Sequence, residues 1–257
     1  GNPSRPTNPT PARGLTRYLD RNGGDSGSVR LLLFDIDGTL IRGNKAGRLA
    51  MGAALEQVFG TKGALDNYSM AGKTDLGIVT DLLRAAGVAQ EQINDKLSDF
   101  YLVMADFARE IYPSRGISVC PGVESLLANL RDRDDVFLGL LTGNAQSTAS
   151  LKLAAAGIDP AQFVVAAFGS DDSERNNLPA IALQRAHELT GIMITSDHAV
   201  IIGDTPADVE CARAARATAV AVASGWHSAD TLLQYQPDFL FADLSDTKTV
   251  LRVLLGE

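Results

Sequence analysis

Short apolar runs recur along the chain from Val29 onward, and each is nearly continuous rather than alternating. The first is Val29-Arg30-Leu31-Leu32-Leu33-Phe34; others lie at 136–141, 163–168, 199–202, 218–223 and 238–241. A strand buried on both faces reads this way. Stretches of helical spacing bounded by turn residues separate the later runs, at 122–130, 148–156, 179–189, 206–215 and 247–255. Strand alternating with helix predicts a doubly wound α/β fold, a parallel sheet wrapped on both sides. One connection departs from that rhythm: the 101 residues 35–135 separate the first run from the second, far more than a crossover helix requires. They read as helices over 46–59, 75–86 and 90–111. The last spaces Ile93, Leu97, Phe100, Tyr101, Met104, Phe107 and Ile111 at helical intervals, the stripe of a core-facing helix. The expected organisation is an α/β core of residues 29–43 and 117–257, with an inserted all-helical domain over 44–116.

Charge and composition narrow the classes. Of 257 residues, 31 are acidic and 23 are lysine or arginine, a net charge of −8 that argues against a nucleic-acid coat or a binder of anionic membranes. Residues 1–28 run the other way, with Arg5, Arg13, Arg17 and Arg21 against Asp20 and Asp25. Four prolines and a Gly/Ser-rich run leave that segment little apolar surface to bury, so it reads as a flexible tail. The two cysteines, Cys120 and Cys211, match no metal-ligand spacing and read as ordinary buried thiols. No apolar stretch is long enough to span a membrane and no signal-peptide core opens the chain, so the expectation is a soluble, cytoplasmic protein.

Open parallel sheets bind ligands beyond the carboxyl ends of their strands. Three expected strand ends carry unusual polar clusters: Asp35-Ile36-Asp37-Gly38-Thr39, Thr142-Gly143-Asn144 and Gly203-Asp204-Thr205-Pro206-Ala207-Asp208. On an extended strand Asp35 and Asp37 would project to the same side. With Asp204 and Asp208 alongside, up to four carboxylates would converge and raise one another's pKa. A hard divalent cation resolves such a cluster, and a few water-retaining carboxylates favour Mg²⁺ over a full Ca²⁺ cage. An EF-hand is excluded because Gly38 falls two places too early after a buried strand.

These three motifs, Leu33-Phe34-Asp35-Ile36-Asp37-Gly38-Thr39-Leu40, Leu140-Leu141-Thr142-Gly143-Asn144 and Ile201-Ile202-Gly203-Asp204-Thr205-Pro206-Ala207-Asp208, resemble those of the haloacid-dehalogenase superfamily of hydrolases. The resemblance runs from about Val29 to the C terminus and is strongest to the phosphoglycolate-phosphatase-like branch, whose helical cap the insert resembles. It implies hydrolysis of a small phosphomonoester. Asp35 would be the nucleophile that forms an aspartyl phosphate, and Asp37 the general acid and base. Mg²⁺ would be held by Asp35, the Asp37 backbone carbonyl and Asp204. Thr142, with the Gly143 and Asn144 amides, would hold phosphoryl oxygens; Gly38 and Thr39 complete the phosphate-facing loop. Asp208 would support the metal or the basic residue; equally, an acid in the first turn of a helix favours the helix dipole.

The family usually has a lysine ahead of the last motif, and residues 169–189 contain none. Arg175, before Leu178-Pro179, is the candidate replacement, with Arg185 as its rival. Within the insert, Lys73 and Thr74 of Gly72-Lys73-Thr74-Asp75 fall on a segment that faces the active site in capped relatives, where Lys73 would meet the substrate. Their alternative is an exposed lysine beside a helix-capping threonine. A phosphate-binding P-loop is excluded, because the first glycine it needs falls at Asn67. Trp226 and His227 follow a strand at the same edge. Asp37 argues against a dehalogenase and a phosphonate hydrolase; a phosphomutase of the same superfamily and a weakly catalytic scaffold remain as alternatives. The expected partner is a small phosphorylated metabolite, with no nucleic acid and no membrane.

Overall fold

Leu31, Leu32, Leu33 and Phe34 are all fully buried, yet they serve two different cores. In the computed structural model, which describes residues 29–257, they lie on β1 (Arg30–Phe34) at the centre of a six-stranded sheet. The tail expected over residues 1–28 lies outside the described residues. The strands are β1, β4 (Val136–Thr142), β5 (Val165–Phe168), β6 (Ala199–Gly203), β7 (Thr218–Val222) and β8 (Phe239–Phe241), in the order β5-β4-β1-β6-β7-β8. All five pairings are parallel. Three expected strands are trimmed at their starts, β1 by Val29 alone. Phe163 ends a turn of 3₁₀ helix over Pro160–Gln162, and Asp238 instead accepts a hydrogen bond from the Ala219 amide through its side chain.

Period-two alternation sorts the side chains of β1. Leu32 and Phe34 face one layer, with α4 (Val123–Leu130), α5 (Gln146–Ala155) and α9 (Thr247–Leu255). Leu31 and Leu33 face the other, with α6 (Leu178–Thr190) and α7 (Pro206–Ala215). The short α8 (Ala229–Leu233) follows β7. Among the described residues, no helix is long and apolar enough to cross a membrane.

The inserted helices are α1 (Ala46–Phe59), α2 (Asp75–Ala85) and α3 (Gln90–Ile111). An antiparallel pair not foreseen from sequence, β2 (Ile41–Arg42) with β3 (Ser118–Val119), stands where the chain leaves the sheet and returns to it. Two residues a side are too few for a hydrophobic period to register. On α3 the buried Ile93, Phe100, Met104 and Ala108 face inward. Apolar residues of α1–α3 run without a break into the core above Leu32 and Phe34. The inserted helices, called the cap below, thus pack on one another, α1 against α3, and are continuous with the sheet layer.

Candidate active site

The extended geometry that would aim Asp35 and Asp37 alike ends at Phe34, and the two acids part company. Asp35 is buried, and its carboxylate lies with those of Asp204 and Asp208, one oxygen of each within 4.8 Å of the others. The Asp37 carboxylate is outside that cluster. Its Oδ2 accepts from Asn144 Nδ2 at 2.8 Å and from Lys152 Nζ at 2.7 Å. The chain turns after Asp35, with Leu40 and Ile41 amides both donating to the Ile36 carbonyl, so strand alternation no longer applies.

Close backbone approach builds the floor. Gly38 has φ +85°, and a Cβ there would stand 2.2 Å from Asp204 Oδ2. Glycine serves both needs, the left-handed backbone and the absent side chain. Buried Thr39 donates from Oγ1 to Asp204 Oδ1 at 3.3 Å. Asp208 is the third residue of α7 and completes a capping box with Thr205: its Oδ2 accepts from the Thr205 amide at 3.0 Å and from Thr205 Oγ1 at 2.7 Å. Its other oxygen accepts from Arg175 at 2.5 Å. One Asp208 side chain thus both caps a helix and pairs with Arg175, the arginine beside Asp35.

Arg175 sits buried between Asp208 and Asp35, its Nη2 3.4 Å from Asp35 Oδ2. Its Nε is buried with no hydrogen-bond partner. Arg185, the rival, pairs instead with Asp171, just past the carboxyl end of β5, and with the Ala166 carbonyl of that strand. Burial alone would pull the Arg175 pKa down, but Asp208 and then Asp35 hold it above the usual range. Burial pushes the Asp35 carboxyl up to about 7, against the pull of Arg175 and with repulsion from Asp208 and Asp37. Burial, then repulsion from Asp35, pushes Asp204 up to about 8. Hard oxygen donors converge here with less positive charge than they need, the condition that suits a small divalent cation. Asp35 and Asp204 could hold such an ion more readily than Asp208, both of whose oxygens already accept bonds from the protein.

Thr142 closes β4, fully buried, and its Oγ1 accepts from Asn144 Nδ2 at 2.8 Å and Asn144 N at 3.3 Å. Its own proton has no acceptor among the described residues, so it is free to donate to a bound anion. Gly143 is a close approach to the inserted helices: a Cβ there would stand 2.1 Å from the Lys73 carbonyl of the cap. The cap docks on this turn through its backbone. Asp75 N donates to the Gly143 carbonyl at 2.7 Å and Leu76 N to the Gly169 carbonyl at 2.9 Å. The Asp75 carboxylate accepts from the Ala145 amide at 2.7 Å. Burial pushes that carboxyl up to about 6, against the pull of Lys152.

Of the two cap residues expected at the site, Thr74 is the N-cap of α2, accepting from the Gly77 amide and donating to the Ser173 carbonyl at 2.8 Å. The Lys73 ammonium turns to the cap itself, 2.6 Å from Tyr68 Oη and 3.9 Å from Asp81. Trp226 is 86% exposed. Cys120 and Cys211 are buried and unpaired, and burial pushes their thiols up to about 11 and about 12.

The residue that sequence reading missed is Lys152, on α5. It is 3% exposed, bonded through Nζ to Asp37 Oδ2 and Asn144 Oδ1. Burial works against its charge, but Asp37 and then Tyr112 hold its pKa above the ordinary value. A signal existed: Lys152 falls on the stripe of α5 that buries Thr148, Ala149 and Leu153. A lysine on a buried stripe needs a carboxylate to face.

The chain is similar to several known proteins. Among curated proteins, a phosphoglycolate phosphatase of Synechococcus elongatus is 31% identical over 130 residues, 51% of this chain. The match spans 58% of that relative's own length. The fold is shared with a hydrolase from Pseudomonas syringae (22% identity, 88% of this chain and 99% of that one, TM-score 0.62). It is shared too with a predicted phosphoglycolate phosphatase from Haemophilus somnus (19%, 87% and 98%, TM-score 0.60). A family model described as haloacid dehalogenase-like hydrolase matches residues 29–216, a span that takes in the Asp35 turn, the Thr142 turn and Asp204, and the chain belongs to that family.

Proposed function

We propose that the protein hydrolyses small phosphomonoesters with Mg²⁺, through an aspartyl phosphate on Asp35. The observation that carries this reading is the convergence of buried Asp35 and Asp204 with Arg175 at the carboxyl edge of the sheet, beneath a docked cap. Asp35 and Asp204 supply hard oxygens, and with the Asp37 backbone carbonyl they would hold Mg²⁺. When bound, the ion would offset the charge of the acids and of the phosphoryl group.

In the first half-reaction an Asp35 oxygen attacks phosphorus, and the bond from phosphorus to the ester oxygen breaks. The departing oxygen takes the proton of the Asp37 carboxyl, leaving an alcohol, an Asp37 carboxylate and the aspartyl phosphate. In the second, Asp37 takes a proton from water as that water attacks phosphorus, which frees phosphate and restores both carboxyl groups. Arg175 faces the nucleophile throughout and supplies the cation, in place of the lysine usual to the family. The Thr142 hydroxyl, with the Gly143 and Asn144 amides, would meet phosphoryl oxygens. Residues 44–116 would act as a lid that keeps bulk water from the intermediate. Lys73 would meet a substrate only if it exchanged Tyr68 and Asp81 for that contact. Phosphoglycolate, by likeness to the Synechococcus protein, heads the candidate substrates, and a cytoplasmic setting suits a metabolite of that kind.

The test is phosphate release from a panel of phosphoglycolate, sugar phosphates, nucleotides and an aryl phosphate. Release that needs both Mg²⁺ and Asp35, lost with EDTA and in Asp35→Asn, is the expected result. No release from folded, Mg²⁺-supplied protein would overturn it. Phosphoryl return to a sugar when a hexose bisphosphate is supplied would replace hydrolysis with a mutase reaction.

A further inference from the structure

Asp37 has two carboxylate oxygens, and the protein treats them differently. Oδ2 accepts two donors, Lys152 Nζ at 2.7 Å and Asn144 Nδ2 at 2.8 Å. Lys152 and Asn144 are themselves bonded, Nζ to Oδ1, so the three side chains form a closed ring. Oδ1 takes no donor among the described residues. It lies beside Gly43, where a Cβ would stand 2.4 Å away, and the Asp37 side chain is 42% exposed.

Lys152 is enclosed as well. The cap helix α1 passes so close that a Cβ on Gly47 would stand 3.0 Å from its Nζ, and the Tyr112 ring centroid lies 5.8 Å from the same atom. Asp35 is paired with Arg175, and no ion pair joins it to Lys152 among the described residues. A buried ammonium with these neighbours acts through Asp37 rather than on a phosphoryl group.

We infer that Lys152 is a positioning residue for the acid step: with Asn144 it clamps Asp37 by Oδ2, leaving Oδ1 as the oxygen that delivers the proton to the leaving group. The inference rests on the phosphatase reading above. A clamp of this kind fixes the carboxyl in the plane and distance that proton transfer requires, the sort of alignment whose loss costs about 10²-fold. It also predicts which substrates need Lys152. An alkyl ester releases a strongly basic alkoxide and needs the proton as its bond breaks. An aryl ester such as p-nitrophenyl phosphate releases a stable anion and scarcely needs it.

The experiment is kcat/KM for an alkyl and an aryl phosphomonoester with Mg²⁺, in wild type and Lys152→Met. This constant ends at the first irreversible step, loss of the leaving group, so slow hydrolysis of the intermediate does not obscure it. The expected loss is at least tenfold larger for the alkyl than for the aryl ester. An equal loss for both would mark Lys152 as structural and overturn the inference. Because removing one partner of a buried pair can unfold a protein, the same comparison is made in an Asp37→Asn background, where the double variant lacks both charges. There, adding Lys152→Met should keep alkyl kcat/KM within about threefold of Asp37→Asn alone; a further tenfold loss would overturn the assignment. If wild type turned over neither ester, the phosphatase reading itself would fall, a result distinct from either.

Discussion

Asp35 and Arg175 pull against each other's surroundings. The carboxyl is held near 7 by burial and by neighbouring acids, so replacing it by a neutral amide relieves repulsion while removing the proposed nucleophile. Asp35→Asn should therefore lose phosphate release by about 10³-fold or more, while the metal-free protein melts no lower than wild type. Melting curves beside single-time-point assays check both halves. Arg175 is the opposite case: Asp208 and Asp35 depend on it, and its removal strands two buried carboxylates. Arg175→Met should cost about 3–5 kcal/mol in urea unfolding. Arg175→Lys should recover part of that, since lysine restores charge but not the planar fork.

The element that turns a chemical edge into an enclosed site is the first turn of α2. Thr74 caps it, its backbone amides reach the Gly143 and Gly169 carbonyls, and Asp75 accepts from Ala145. Gly143→Ala would press a Cβ into the Lys73 carbonyl. The expected outcome is a stability loss of about 1–3 kcal/mol with a disproportionate fall in kcat/KM, read by comparing denaturation with kinetics. Asp75 adds a pH dependence whose sign follows from its raised pKa. The unfolded chain releases this proton near the ordinary 3.8, whereas the folded protein keeps it to about 6. The folded state binds more protons in that window, so the Asp75 contribution to stability falls as pH rises through it, and above about 6 the buried charge is a full cost. Asp75→Asn should flatten the corresponding slope, seen as the difference between the two melting-temperature profiles from pH 4 to 7.

Across the whole molecule, the same arithmetic makes cation binding a folding term. Asp35 and Asp204, pushed to about 7 and about 8, must lose protons before they bind a metal. Mg²⁺ at a hundredfold excess over its dissociation constant should stabilise the protein by about 2.7 kcal/mol. That corresponds to a melting temperature higher by roughly 5–10 °C for a chain of this size, and the gain should grow from pH 6 to pH 8. Thermal melts with Mg²⁺ and with EDTA across that range measure it; a shift independent of pH would place the ion elsewhere. The continuous apolar cluster joining cap and sheet has a consequence too, since cap and core should melt in one transition rather than two.

Local pattern determined most of the architecture. A strand buried on both faces must be apolar throughout, and helices of 14 and 22 residues carry enough turns for their period to show, so α1 and α3 could be read with their ends. The acids of three strand ends were legible for a similar reason: a parallel sheet sends every carboxyl end to one edge, whatever the loops do. Tertiary structure alone decided which carboxylate oxygen faces which cation. Asp35 and Asp37 are adjacent in every sequence argument, but the turn after Phe34 sends one toward Asp204 and Arg175 and the other toward Asn144 and Lys152. The partners come from separate segments (the turns after β4 and β6, a 3₁₀ turn at Arg175 and helix α5), 115 residues apart for Asp37 and Lys152, and no local period encodes that distance. Burial then turns their charges from solvated surface features into a coupled set, because only the folded chain removes the water that would have screened them.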